Sequence, residues 1–229
     1  MDQIVASIVE NDVRAVDRLL KNDASLTTRL FQSPILFNER IFHWIYVGDS
    51  LLHLAAAGYR VEIVRSLLQA GADPNAAHNH RKGRPLHYAS DGFITGPEWN
   101  EQDQLETLRC LIQAGANVMA QDMNGATALH RAVRTRCAAA VKLLLDISCD
   151  PTIRNKSGST PFHLAVQNTG RGGSGEQAAI DAQRQIIKHF LDAGISTNLK
   201  DNQGKSVIDC ARSAWIKDLL TDSITKKSN

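Results

Sequence analysis

Gly125-Ala126-Thr127-Ala128-Leu129-His130 opens the stretch of sequence, residues 124–155, that decides the fold. Related openings recur elsewhere in the chain, as Asp49-Ser50-Leu51-Leu52-His53, Arg84-Pro85-Leu86-His87 and Ser159-Thr160-Pro161-Phe162-His163. Their histidines lie 34, 43 and 33 residues apart. A period of this length is typical of a solenoid, in which each copied unit buries its apolar face against the next one.

The copies are also alike in the residues beyond the histidine. In the first full copy, the apolar pairs Ile63-Val64 and Leu67-Leu68 lie at helical spacing and are followed by Gly71-Ala72. Together with openings of the Thr-Pro-Leu-His type, this pattern resembles the ankyrin repeat family, and the resemblance covers nearly the whole chain. It implies an all-α fold, an ankyrin-repeat solenoid of stacked antiparallel helix pairs with hairpin-like connecting loops. It also implies a protein-binding module.

The repeats predict a single ankyrin-repeat domain over residues 1–229, because each unit of a solenoid contacts its neighbours and the array is continuous. The predicted segments are N-terminal capping helices (1–24), an aromatic-rich insertion (25–47), four repeats (48–82, 83–124, 125–157 and 158–203), a C-terminal cap (204–220) and a tail (221–229). The second and fourth repeats carry extra residues between their two helices, around 93–102 and 169–175.

The insertion does not follow the repeat pattern. It holds Phe31, Phe37, Phe42, Trp44 and Tyr46, five of the twelve aromatic residues of the chain. The last three occupy alternate positions, which predicts a strand with an aromatic face. That face either packs over the first repeats as a lid or is exposed as a partner-binding site, and the burial of Trp44 distinguishes the two interpretations.

Composition excludes several classes of protein. The net charge is +2, without the strongly basic balance typical of nucleic-acid binders. The four cysteines form no C-x-x-C pair, which favours reduced thiols over a disulfide framework or a zinc site. The sequence shows neither a signal-peptide pattern nor 18 consecutive apolar residues. We therefore expect a monomeric, cytoplasmic protein that binds neither nucleic acid nor a membrane.

The repeated histidines do not indicate a metal site or a catalytic one. Equivalent positions in a solenoid are displaced by roughly 8–10 Å per repeat, so the four side chains do not converge on one ion. The family resemblance implies that they bond the backbone of neighbouring loops. Gly204-Lys205-Ser206 lacks the glycine that a P-loop requires at position 199, which is Leu199. We expect no cofactor, no metal and no enzymatic activity.

An alternative function is the binding, with or without processing, of a small anionic ligand. Arg134 and Arg136 follow the opening of the third repeat, and the extra residues of the fourth repeat include Arg171, Gly172, Gly173 and Ser174. A glycine-rich loop that enters a helix presents backbone N–H groups to an anion. Both insertions are expected on one edge of the solenoid, where they form a shallow cleft or remain ordinary surface loops.

The preferred function is a non-catalytic protein–protein interaction module, acting as an adaptor, inhibitor or effector. The resemblance places the partner on the concave face and the hairpin tips. The candidate contacts lie at successive tips and on the inner helices. They are His80, Arg81, Lys82, Tyr88, Met123, Asn124, Arg131, Arg154 and Lys156.

Overall fold

The computed structural model describes residues 2–37, 40–92, 99–147, 149–167 and 177–227. The chain divides into two compact units, unit 1 over Met1–Met123 and unit 2 over Asn124–Asn229. The boundary coincides with the start of the third predicted repeat. Each unit is described by itself, and the single domain over residues 1–229 stays a prediction.

Unit 1 contains helix pairs and one short β-hairpin. Its described elements are α1 (Gln3–Val9), α2 (Val13–Asn22), a 3-10 turn (Ala24–Thr28), β1 (Ile35–Phe37), β2 (His43–Ile45), α3 (Leu51–Ala57), α4 (Val61–Gln69), α5 (Pro85–Ser90) and α6 (Glu101–Gln113). The first helices of the pairs, α1, α3 and α5, pack against one another in one row, and α2, α4 and α6 form a second row. Two rows of paired helices are the layered arrangement of a helical solenoid.

Unit 2 repeats this arrangement. Its described helices are α7 (Ala128–Arg134), α8 (Ala138–Asp146), α9 (Pro161–Ala165), α10 (Gln177–Asp192), α11 (Val207–Cys210) and α12 (Ala214–Lys227). Helix α7 packs on α9 and α9 on α11, while α8 packs on α10. The predicted class, a solenoid of helix pairs, is confirmed in both units.

Apolar stripes and glycine caps explain where the second helices of the pairs lie and end. On α4, Ile63, Val64 and Leu67 have no exposed surface, and these are the positions that the helical spacing places on one face. Gly71, just beyond α4, has φ of 96°, a left-handed conformation that glycine adopts without a side-chain clash. The predicted end of this helix is therefore confirmed.

Two segments differ from the sequence prediction in extent. Helix α6 begins at Glu101, inside the first predicted insertion, because the side chain of Asn100 caps it by accepting a hydrogen bond from the backbone N–H of Asp103. Helix α12 runs to Lys227, through most of the predicted tail, since no glycine or proline interrupts it. The rest of the first insertion, 93–98, and the whole of the second lie outside the described residues. Among the helices described, none combines the length and the apolar composition needed to span a bilayer.

Candidate partner-binding surface

The four motif histidines link each repeat to the following one. In every case Nδ1 contacts the residue that precedes the first helix, and Nε2 contacts a backbone carbonyl in the loop that leads to the next helix pair. The Nε2–O distances are 3.1 Å from His53 to Gly83, from His87 to Ala120 and from His130 to Ser159, and 3.2 Å from His163 to Lys205. The interpretation of these histidines as structural is confirmed.

One group of metal-ligand side chains lies close together within the described residues. His163, Asp201 and Cys210 place possible ligand atoms within 4.8 Å of one another. Both ring nitrogens of His163 are already engaged, by Thr160 Oγ1 at 2.7 Å and by the carbonyl of Lys205. Burial raises the pKa of the Cys210 thiol, which disfavours the thiolate that metals bind. The group is therefore part of the framework that joins the last repeat to the cap.

A buried carboxylate, Asp49, fixes the hairpin against the first full repeat. It has no exposed surface and accepts three hydrogen bonds of 2.7 Å, from the backbone N–H of Tyr46, from Nδ2 of Asn79 and from the hydroxyl of Tyr88. Asn79 in turn bonds both backbone groups of Gly83. A single side chain thus holds the second strand, the repeat tip and helix α5 together, with its lone pairs satisfied.

Gly48 allows the hairpin to approach the tip closely. Its φ is 86°, and a Cβ atom built on it would lie 2.6 Å from the backbone oxygen of His78. Its N–H donates to the carbonyl of Phe31 at 2.9 Å. A side chain at this position would therefore separate the insertion from the tip.

His53 makes the stability of unit 1 sensitive to acid. Burial lowers the pKa of His53, and an added proton on Nδ1 would face the backbone N–H of Ser50. The unfolded chain therefore binds a proton at His53 more tightly than the folded chain does. The stabilising contribution of neutral His53 is fully present above about pH 6.5 and decreases as the pH falls below that value. Asp49 opposes the shift, whereas His78 and His43 add to it.

The measurement is urea unfolding at pH 7.5, 6.5 and 5.5. We expect the midpoint to fall at the lowest pH, and to fall less in a His53→Gln variant. Burial also lowers the pKa of His189 in unit 2, so the difference between wild type and variant is the quantity to compare. Equal pH dependence in the two proteins would contradict the assignment to His53.

The hairpin has one buried and one exposed face. Strands β1 and β2 are antiparallel, with Leu36 opposite Trp44. Phe37 and Ile45 are buried, whereas Leu36 is 37% and Trp44 45% exposed. Neighbouring residues of a strand point to opposite faces, so the hairpin covers the core with one face and presents an apolar pair to solvent with the other. The exposure of Trp44 therefore contradicts packing of the aromatic face as a lid, and the opposite face of the hairpin is the one that covers the core.

Strand β2 leads into Tyr46, which lies beside the tip of the first full repeat. The guanidinium carbon of Arg81 lies 4.1 Å from the centre of the Tyr46 ring, and the His80 ring meets it edge-on at 6.3 Å. Trp44 also stacks with Tyr46, with ring centres 6.4 Å apart. We call Leu36, Trp44, Tyr46, His80 and Arg81 the aromatic–arginine patch. It joins predicted tip residues to the predicted aromatic strand.

The predicted tip residues next to the patch are also at the surface. Lys82 is exposed, with φ of 52°. Met123 is 38% exposed, and its backbone N–H donates to the carbonyl of Arg81 at 2.7 Å. The hydrogen bond between Met123 and Arg81 joins two successive tips, so the exposed tip residues form a continuous surface that reaches the end of unit 1.

In unit 2 the predicted tip residues are exposed but partly engaged with one another. Lys156 donates its backbone N–H to the carbonyl of Asn124 at 2.8 Å. The guanidinium of Arg154 donates two hydrogen bonds to the carbonyl of Lys200, at 2.7 and 3.2 Å. Arg154 therefore links two tips, while the side chains of Asn124 and Lys156 face solvent.

Two predicted partner contacts are wrong for the folded chain. Tyr88 is 1% exposed, since its hydroxyl bonds Asp49 and its ring packs edge-on against His53 at 5.0 Å. Arg131 is 8% exposed on helix α7. Both come one residue after a motif histidine, and the side chain at that position is buried in both helices.

The predicted anion site receives little support from its described residues. Arg134 is exposed at the end of α7, but Arg136 is 8% exposed and has φ of 63° in the following turn. Arg171, Gly172, Gly173 and Ser174 lie outside the described residues. The cleft between the two insertions stays a prediction.

Models of known families match two parts of the chain. An ankyrin repeat model matches residues 47–79, and a model of three ankyrin repeat copies matches residues 100–201. The two matches together cover more than half of the sequence. They contain every motif histidine except His87.

Curated relatives resemble the chain over part of their own length. The B-cell lymphoma 3 protein homolog of Mus musculus is 37% identical over 133 residues, 54% of this chain and 27% of that protein. The human B-cell lymphoma 3 protein is 28% identical over 97% of this chain and 50% of that protein. Human ankyrin repeat and SOCS box protein 6 is 29% identical over 77% of this chain and 37% of that protein. The chain thus spans half or less of the length of these relatives.

Solved structures share the fold along almost the entire chain. An ankyrin repeat domain from Acinetobacter baumannii AYE has a TM-score of 0.66 at 22% identity and covers 96% of both chains. The ankyrin repeat protein EF0377 has a TM-score of 0.68 at 22% identity, over 97% of this chain and 96% of that one. Because family models match the repeats that the helix pairs define, the chain belongs to the ankyrin repeat family.

Proposed function

We propose that this protein-interaction module binds its partner through the aromatic–arginine patch of unit 1, without catalysing a reaction. The observation that carries the proposal is the exposed pair Leu36 and Trp44, with Trp44 stacked on the Tyr46 ring that the tip residues His80 and Arg81 contact. The pair lies on a hairpin that the repeat pattern does not require. Exposed apolar side chains grouped with an arginine are typical of partner-binding sites.

The composition of the patch suits recognition of a protein surface. Tryptophan, tyrosine and arginine are the residues most enriched among those that dominate binding energy. Trp44 and Tyr46 are stiff side chains already stacked on each other, so little conformational entropy is lost when they bind. Met123 adds a flexible apolar group at the neighbouring tip.

The absence of catalysis is supported by the assignment of the motif histidines. In each one Nδ1 contacts the start of its own helix and Nε2 contacts a backbone carbonyl, so none has a nitrogen available as a general base. The exposed tips of unit 2, Asn124 and Lys156, are a secondary contact region in this proposal. For the anionic-ligand alternative, the covered position of Arg136 offers no support.

Photo-cross-linking tests the proposal. With p-benzoyl-phenylalanine at position 36, the full chain is expected to form a covalent adduct with its partner in an extract of the source organism. A matched probe at the exposed Arg18 of helix α2 is the control for non-specific capture. Trp44→Ala is expected to reduce partner affinity at least about tenfold, because a buried tryptophan anchor contributes more than about 1.4 kcal/mol.

Trp44 is half-exposed in the free chain, so this variant should keep its circular dichroism spectrum and unfolding midpoint. Equal adducts from positions 36 and 18, or unchanged affinity of Trp44→Ala, would show that the partner binds elsewhere.

A further inference from the structure

The guanidinium of Arg81 is held in place, but no described residue supplies it with an anionic partner. It lies over the Tyr46 ring, and its Nε is buried without a hydrogen-bond partner among the residues described. Some arginines of unit 1 have carboxylate partners, such as Arg65 with Glu62 at 2.7 Å and Arg40 with Glu10 at 3.0 Å. Within the described residues, Arg81 forms no such ion pair.

Within the described part of the chain, the two carboxylates that contact the hairpin or the tip are already engaged by other groups. Asp49 is buried and accepts three hydrogen bonds, and the carboxylate of Asp91 lies 3.4 Å from His43 Nε2. The exposed side chains beside Arg81 are His80 and Lys82, which carry no negative charge. The surface is therefore complementary to an anion supplied by another molecule.

Stacking also prepares Arg81 for a carboxylate. A guanidinium fixed over an aromatic ring keeps its planar edge available for two parallel hydrogen bonds, which match the two oxygens of Asp or Glu. Because one face is already covered by Tyr46, less water is displaced and fewer rotamers are lost when the ion pair forms. Trp44, which also stacks with Tyr46, and its strand partner Leu36 offer an exposed apolar surface of side-chain size.

We propose that the aromatic–arginine patch binds a segment of a partner protein in which an aspartate or glutamate lies next to a large apolar residue. The carboxylate pairs with Arg81 and the apolar side chain packs on Trp44 and Leu36. This inference rests on the proposed function and names the chemistry of the partner.

Single-stranded nucleic acid, which also stacks on aromatic rings, is the competing ligand for such a surface. The net charge of only +2 disfavours it.

The test begins with a displayed library of random 12-residue peptides, selected on the full chain after depletion on an Arg81→Ala variant. We expect the enriched peptides to share an acidic residue within two positions of a large apolar one. One enriched peptide and its Asp→Asn or Glu→Gln counterpart are then titrated against wild type and Arg81→Ala. The acidic group and Arg81 should be coupled by about tenfold in affinity, as close interfacial charge pairs are.

Two controls make the result specific to the patch. Arg184 lies 5.2 Å from the Trp215 ring in unit 2, so Arg184→Ala removes an arginine–aromatic pair of the same kind and should leave peptide affinity unchanged. An Arg81→Glu variant should prefer the peptide in which lysine replaces the acidic residue. Circular dichroism confirms that each variant is folded.

Three outcomes would overturn the inference: enriched peptides without an acidic residue, coupling below about twofold, or tight Trp44-dependent binding of a 12-nucleotide oligothymidine instead of peptides. The first two leave the proposed function intact, since cross-linking at position 36 detects a protein partner of any chemistry, whereas the third would count against both proposals. The absence of a cross-link at position 36 would contradict the proposed function itself.

Discussion

Replacing Asp49 with alanine is expected to lower the free energy of unfolding of unit 1 by about 3 to 5 kcal/mol. The substitution leaves three buried donors without their acceptor, on Tyr46, Asn79 and Tyr88. Each unsatisfied buried group costs about 1 to 3 kcal/mol, and partial entry of water limits the sum. Urea unfolding followed by Trp44 and Trp99 fluorescence in a Trp215→Phe background measures unit 1 alone, because Trp215 is the tryptophan of unit 2.

Two control variants remove fewer interactions than Asp49→Ala does. Tyr88→Phe deletes one hydrogen bond to the carboxylate and should cost about 1.5 to 3 kcal/mol. Glu62→Ala removes a carboxylate that is 59% exposed and paired with Arg65, and should cost at most about 1 kcal/mol. Because Asp49 also positions the patch, the alanine variant should lose partner binding. A loss of stability no larger than that of Glu62→Ala would show that the network does not hold the hairpin.

Replacing Phe162 with alanine is expected to destabilise unit 2 by about 3 to 5 kcal/mol. Phe162 and Phe190 have no exposed surface, and their rings are nearly parallel with centres 4.7 Å apart. The other motif copies have leucine in place of Phe162, and Leu67 and Leu111 hold the position of Phe190 relative to their helix-ending glycines. The two phenylalanines therefore replace a pair of leucines, and truncating one leaves a cavity against the other.

Trp215 fluorescence in a chain with Trp44→Phe and Trp99→Phe measures this loss. Phe162→Leu restores the residue of the other copies and keeps most of the volume, so it should cost about 1.5 kcal/mol or less. If the alanine and leucine variants are equally stable, the cavity is filled by rearrangement and the packing argument fails.

The functional picture combines a regular framework with one irregular addition. Histidine bridges and leucine stripes repeat along each unit and determine its stability, but they are the same at every position and distinguish no partner. Among the described residues the β1–β2 hairpin occurs once, and Tyr46, which follows it, lies against Arg81 of a tip. Specificity in this proposal therefore depends on the insertion.

Sequence patterns predicted part of the candidate surface. Tip residues such as His80 and Arg81 are predictable from the repeat, because a polar segment between helix pairs is exposed wherever it occurs. Alternation of Trp44 and Tyr46 predicted a strand, and Ile45 lies at the intervening position. The sequence did not predict that Leu36 belongs to the patch, because only the pairing of the two strands places it opposite Trp44.

The same reasoning placed Tyr88 on the surface, although it is buried. Its place on an inner helix suggested a contact on the concave face, whereas the structure pairs its hydroxyl with a carboxylate 39 residues away. Asp49 offers no sequence signal for this, because a charged residue between two repeats is ordinarily solvated.

The sequence by itself determined the helix pairs, the glycine ends and the structural use of the histidines. Each of these depends on residues a few positions apart or on a spacing that is copied from repeat to repeat. Only the tertiary structure decided which hairpin face is exposed, which ring Arg81 stacks on and which carboxylate Tyr88 meets. Those choices depend on single contacts between segments more than thirty residues apart, and a contact that occurs once leaves no periodic pattern in the chain.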